Sequence, residues 1–299
     1  MVNAKQIKSK IKSVGNIKQI TKALEVVATV KLQKTKIKTD TYKEFMIEFL
    51  KIIKAVTQGE NIFQNETHPN PQTDKELAII IGTDRWLCWA LNNRLFKDIF
   101  NLYEDKKETV DMFCIGKKTL EFFSRANFPI VWQHELPDTF DENTFKELYT
   151  FLRTAVAEHT YTNIKIYFNF FHNAIKQTPL YLQLFPLNKE SFKHFAKDLW
   201  INIDEFISTD EIYQEVALEP TPTELARDIK EQLIQHMIYG AMLQNKTGEF
   251  AARMVAMKNA KDNSVTMIKN LTLSYNKARQ TAVTQEVSEI MGAKMALED

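Results

Sequence analysis

The chain has 299 residues, 44% hydrophobic and 26% charged, with a formal net charge of +1. This composition excludes a disordered polyelectrolyte, and the near-neutral charge gives no general affinity for nucleic acid. It has no apolar run of the ~18 residues that read as a membrane span, no signal-like core in MVNAKQIKSKIK, and two distant cysteines, Cys88 and Cys114, that suit a reducing cytoplasm.

From Ala4 to Thr57 there is no proline and one glycine, Gly15. Apolar residues recur three or four apart at Ile7, Ile11, Val14, Ile17, Ile20, Leu24 and Val27, which predicts a helix with a coiled-coil-like stripe. Such a helix would be about 80 Å long at ~1.5 Å per residue. This segment, residues 1–58, is followed by a polar, proline-bearing stretch over 59–76 that reads as a linker. Residues 77–208 alternate. ELAIIIG, TVDMFCIG, PIVWQHEL, NIKIYFNFF and TPLYLQLFPL read as strands, and LNNRLFKDIFNLYED, KKTLEFFSRANF and NTFKELYTFLRTAVAEHTY as helices. The order implies a Rossmann-like α/β domain with an at least partly parallel sheet. Residues 209–299 form the last segment. Within it, Thr221-Pro222-Thr223-Glu224 is a strong helix start, and no proline follows. Gly240 and Gly248 weaken this helix without ending it. Two helices this long cannot bury their stripes against one small domain, so they are expected to pair as an antiparallel two-stranded coiled coil. The second seam runs through Met254, Met257, Ile268, Leu271, Tyr275, Ala278 and Ala282, with Lys261 and Ser264 in its gap. It is thin for a stable dimer seam, which suggests that its outer face is covered as well.

Catalytic patterns are missing. Gly116-Lys117-Lys118-Thr119 lacks the upstream glycine of a P-loop, no dinucleotide fingerprint follows a strand, and the six histidines are scattered. Neither a catalytic residue, a metal site nor a cofactor is expected. Residues 1–38 carry ten lysines and one acidic residue, Glu25. That is either a solvated flank or a basic collar for an acidic partner. Nucleic acid is disfavoured because residues 1–41 hold no aromatic side chain for stacking.

Two stretches carry a more specific signal. IKQITKALEVVA, from Ile17 to Ala28, resembles the N-terminal signature of the gamma subunit of F-type ATP synthases. ARMVAMKNA (Ala252–Ala260), LSYNKARQ (Leu273–Gln280) and TQEVSEI (Thr284–Ile290) are similar to its C-terminal signature. The helix–domain–helix plan agrees over the whole chain. The resemblance implies a non-catalytic rotor shaft inside a ring of three alpha and three beta subunits. That shaft would couple rotation to ATP synthesis or hydrolysis and to proton translocation, at the cytoplasmic face of the cell membrane. It implies an epsilon-type subunit and a membrane c-ring, or a substitute, at the foot. Arg279 and Gln280 match a pair that catches an acidic loop of the beta subunit. Lys8, Lys10, Lys18 and Lys22 would form the basic collar, and Val287, Ile290 and Met291 a bearing at the shaft tip.

One loop departs from the family pattern. Where the family has Ser-Asp-Arg-Gly-Leu-Cys-Gly-Gly-Leu-Asn, this chain reads TDRWLCWALN from Thr83 to Asn92. Asp84, Arg85 and Cys88 survive, while Trp86 and Trp89 replace glycines. Either the tryptophans fill the domain core or the foot docks differently, which would suit a related head that drives a machine other than a proton pump. A basic coiled-coil nucleic-acid or adaptor protein is a remote further reading.

Overall fold

The computed structural model describes residues 4–57, 74–138, 142–158, 160–187 and 222–298. Helix α1 spans Ala4–Thr57, and the last helix, α5, spans Pro222–Glu298. Between them lie β1 (Glu76–Ile81), α2 (Trp89–Tyr103), β2 (Val110–Ile115), α3 (Lys117–Arg125), β3 (Ile130–His134), α4 (Glu142–Ala157), β4 (Asn163–Phe171) and β5 (Gln177–Phe185). All five predicted strands and the three helices between them are present. Most of the linker reading at 59–76, and the boundary between the second and third segments at 208, fall outside the described residues.

By its internal contacts the chain divides into two compact units, residues 31–252 and the pair of segments 1–30 and 253–299. The division falls inside α1 and α5 rather than at their ends.

The larger unit is built on a five-stranded sheet of order β3-β2-β1-β4-β5, parallel except for the β4–β5 pair. Strand β2 is buried throughout and β1 from its second residue on, which explains their near-continuous Ile, Val, Met and Phe content; a central parallel strand has no wet face. Residues on alternate sides of these strands feed two separate cores. Ala78, Ile80, Met112 and Cys114 meet Leu95, Phe96, Ile99 and Phe123 from α2 and α3. Leu77, Ile79, Ile81, Phe113 and Ile115 meet Leu148 and Leu152 of α4, Met46 and Leu50 of α1, and Leu233, Met237 and Ile238 of α5. The long helices therefore supply part of the domain's own core. Gly240 permits a close approach there: a Cβ at this position would stand 2.5 Å from the Tyr42 hydroxyl oxygen. That hydroxyl donates to the His236 carbonyl at 2.6 Å.

In the smaller unit, from Met257 on, the residues with reduced exposure on the C-terminal segment are, apart from Ala260, Met257, Lys261, Ser264, Ile268, Leu271, Tyr275 and Ala278. Their four-three alternation is that of a coiled-coil seam, and it matches the predicted one except that Ala282 is exposed. On the N-terminal segment the expectation needs correction. Ile7 and Val14 are buried, but the seam continues through Thr21 and Ala28 in strict sevens. Ile17, Ile20 and Val27, expected inside, are 51%, 60% and 51% exposed. After Val14 the apolar residues come in steps of three, each about 60° short of a full turn, so Ile17 and Ile20 rotate away from a seam that repeats in sevens. The seam also holds an ion pair, Lys261 Nζ to Glu25 Oε2 at 2.8 Å.

Candidate functional site

Neither unit offers a catalytic constellation among the described residues, and no group of three or more His, Cys, Asp or Glu there could hold a metal ion. What the structure does present is surface. Lys8, Lys10, Lys18 and Lys22 are all exposed on the N-terminal segment. Arg279 and Gln280 are exposed on the C-terminal one, and no residue from Arg279 to Lys294 is buried. Val283, Val287, Ile290 and Met291 recur three and four apart on that stretch, so they share one helical face turned to solvent. Among the described residues this stripe and the neighbouring arginine–glutamine pair are uncovered.

The loop from Thr83 to Asn92 runs from β1 through a 3-10 turn at Trp86–Cys88 into α2. No non-glycine residue in it has positive φ; among the described residues only Asn127 does. A path that never enters the left-handed region has no conformational need of glycine, which is how the loop can carry large side chains instead. Trp89 opens α2 and is 51% exposed. It does not fill the core, which corrects one of the two sequence readings; the side chain of Trp86 lies outside the described residues. Asp84 pins the loop by accepting from the backbone N–H of Lys117 at 2.9 Å and of Leu136 at 3.1 Å. Thr83 receives the Asn92 amide at 2.6 Å, and the buried Cys88 thiol lies 3.5 Å from the same hydroxyl. Arg85 reaches outward, 3.9 Å from Asp138. The loop residues are thus brought together, whereas Arg279, Gln280 and the tip residues belong to the other unit.

Sequence reasoning missed a polar core. Gln244, Asn245, Lys246, Thr247 and Glu249 of α5 are all buried. The Asn245 amide donates to the Gly82 carbonyl at 3.0 Å, and its oxygen accepts from the Asn169 N–H at 3.1 Å. Gln244 accepts from the Phe171 N–H at 3.3 Å. These bonds satisfy backbone groups at the ends of β1 and β4, where the sheet ladder stops. Lys246 sits 3.0 Å from Glu249 and 3.3 Å from Asp138. Asp138 also pairs with Lys31. Partial burial favours its neutral form, but the bonds to Lys31 and Lys246 overcome this and hold its pKa at about 2. The signal was in plain view: a polar run, QNKTGEF, with no apolar period in the middle of an uninterrupted helix.

A family model described as ATP synthase matches residues 3–297. The ATP synthase gamma chain of Legionella pneumophila (strain Corby) is 35% identical over 303 residues, covering 99% of this chain and 100% of that protein. The gamma chain of Buchnera aphidicola subsp. Schlechtendalia chinensis is 32% identical, with 99% of each covered. Among solved structures, the mitochondrial ATP synthase OSCP/F1/c-ring assembly of Euglena gracilis in rotational state 3 contains a chain matching at TM-score 0.64 and 19% identity, over 98% of this chain and 94% of that one. The central stalk/c-ring structure of the Tetrahymena thermophila mitochondrial ATP synthase contains another at TM-score 0.57 and 20% identity, over 81% of this chain and 99% of that one. An end-to-end match at this identity, on a fold of two long helices flanking an α/β domain, leaves one conclusion: the chain belongs to the ATP synthase gamma chain family.

Proposed function

We propose that the chain is the central rotor shaft of an F-type ATP synthase, turning within three alpha and three beta subunits. Its rotation couples ATP synthesis or hydrolysis in that head to proton translocation. The subunit is non-catalytic, and the chemistry belongs to the beta subunits. The observation that carries this reading is the full-length match to gamma chains by a chain whose residues 279–294 are exposed along one helix. The same full-length match disfavours a shaft for some other machine.

In this reading Arg279 and Gln280 engage an acidic loop of a beta subunit, since a guanidinium binds carboxylates through two parallel bonds. Lys8, Lys10, Lys18 and Lys22 meet acidic beta-subunit surfaces through pairs individually worth about 0–1 kcal/mol. Weak contacts of this kind let the shaft step without being trapped. Val287, Ile290 and Met291 run in an apolar sleeve at the top of the head. Coupling is reciprocal: a shaft angle selects one pattern of open and closed beta subunits, and nucleotide occupancy selects the angle in return. The loop at Asp84, Arg85, Trp86, Cys88 and Trp89 belongs to the foot, where an epsilon-type subunit and the c-ring dock. The complex sits peripherally on the cytoplasmic face of the cell membrane; no described helix is long and apolar enough to cross it.

The test is native mass spectrometry of the complex purified through a tag placed in residues 59–76. A mass holding three alpha, three beta and a c-ring is expected. Recovery of the chain without any such head would overturn the assignment.

A further inference from the structure

The ions around Asp138, of which Lys246 is buried and Asp138 and Lys31 partly so, join three parts of the larger unit. Lys246, on α5, is 1% exposed and places its Nζ 3.3 Å from Asp138 Oδ1, 3.3 Å from the Leu136 carbonyl and 3.0 Å from Glu249 Oε2. Lys31, on α1, takes the other oxygen of Asp138. The Phe250 ring lies 5.3 Å from the Lys246 ammonium and 5.6 Å from that of Lys31, and faces both. Asp138 follows β3 on a segment that Asp84 ties to the end of β1 through the Leu136 N–H, at 3.1 Å. One carboxylate therefore bridges both long helices, and the segment that carries it is anchored to the sheet.

Apolar contacts between helices and sheet are individually non-directional. Charge-assisted hydrogen bonds have a fixed length and angle, and a buried lysine that loses a partner is costly, so the cluster specifies one register. We propose that Asp138, with Lys31 and Lys246, is the key that locks the α/β domain rotationally to the two shaft helices, so that torque passes from one to the other without slip. The proposal rests on the shaft reading above and makes Asp138 a positioning residue that acts on α1 and α5 through the two lysines.

The test uses the whole complex in sealed vesicles, comparing ATP hydrolysis with ATP-driven proton uptake. Asp138→Ala and Lys31→Met each leave the buried Lys246–Glu249 pair in place. The expected result is retained hydrolysis, loss of proton uptake per ATP, and hydrolysis that an uncoupler no longer accelerates. Asp138→Glu should restore uptake. Asp138→Asn keeps the size and an acceptor, so it serves if the alanine variant fails to assemble, and the same split is expected. Unchanged uptake per ATP in these variants would overturn the key, as would hydrolysis and uptake falling in proportion, the mark of a fold defect. An unaltered chain that joined no rotary complex would sink the shaft reading itself, whereas coupling that survives Asp138→Ala sinks the key alone.

Discussion

At Gly240 a single methyl group decides whether α1 and α5 can approach. The added Cβ of Gly240→Ala would stand 2.5 Å from the Tyr42 hydroxyl and 2.7 Å from its ring. Alanine gains roughly 1 kcal/mol in helix propensity, but overpacking a filled site costs about 1–3 kcal/mol. A net loss of stability is expected, read as a lower urea midpoint with unchanged slope. His236, one helical turn earlier, stands 4.7 Å and 5.0 Å from the rings of Phe45 and Phe49. Burial lowers its pKa below the usual 6.5. The unfolded chain therefore takes up a proton as the pH falls through about 6.5 while the folded chain does not, so stability is fullest above that pH and declines below it. Urea midpoints between about pH 5 and 7 should show this slope, and His236→Phe should flatten it; an unaltered slope would mean that other groups carry it. Neither site was legible beforehand. Gly240 read as a helix weakener and His236 as one scattered histidine, because a sequence does not say which residue of a second helix lies opposite. Trp86 and Trp89 were conspicuous as departures, yet nothing local distinguishes a core ring from an exposed one.

The elements themselves were largely legible. Central strands without a wet face read as unbroken apolar runs, and the Thr221-Pro222 start announces α5 at the residue where it begins. The seam of the N-terminal segment was not, because it is written in small and polar residues. Thr21 satisfies its hydroxyl on the Ile17 carbonyl at 3.0 Å, so it can sit inside without an external partner. The more hydrophobic Ile17 and Ile20 lie outside, where an isolated chain has no use for them. With so little apolar material in the seam, the Glu25–Lys261 pair helps to set its register. Replacing either residue by alanine should lower the thermal midpoint at low salt, and the double replacement should lower it by less than the sum. Additive losses in that cycle would show that the pair does not couple. Arg279→Ala with Gln280→Ala behaves differently. Both side chains are exposed, so thermal stability of the isolated chain should not move, while ATPase turnover of the assembled head should fall; unchanged turnover would remove this pair from the account.

At the scale of the whole molecule, the order of helix, domain and helix was readable from apolar periodicity and proline placement, but the reason for such helices was not. Residues 279–294 form part of α5 without one buried side chain. An unpacked helical stretch of this length is marginal in water, since most helical stability in proteins comes from packing an apolar face. Here that face exists, in Val283, Val287, Ile290 and Met291, but no described residue covers it. Full burial of side chains of this kind contributes about 1.5–3 kcal/mol each. The tip should therefore owe its order to the head. Hydrogen exchange makes the expectation concrete: amides of residues 279–294 should exchange almost freely in the isolated chain, while those of β1 and β2 are protected. In the assembled complex the tip amides should slow strongly and the sheet amides little. Substituting Val287, Ile290 and Met291 with serine should abolish that slowing without touching the sheet. Equal protection of the tip before and after assembly would mean that the helix is stable by itself and that its apolar stripe serves something other than the head.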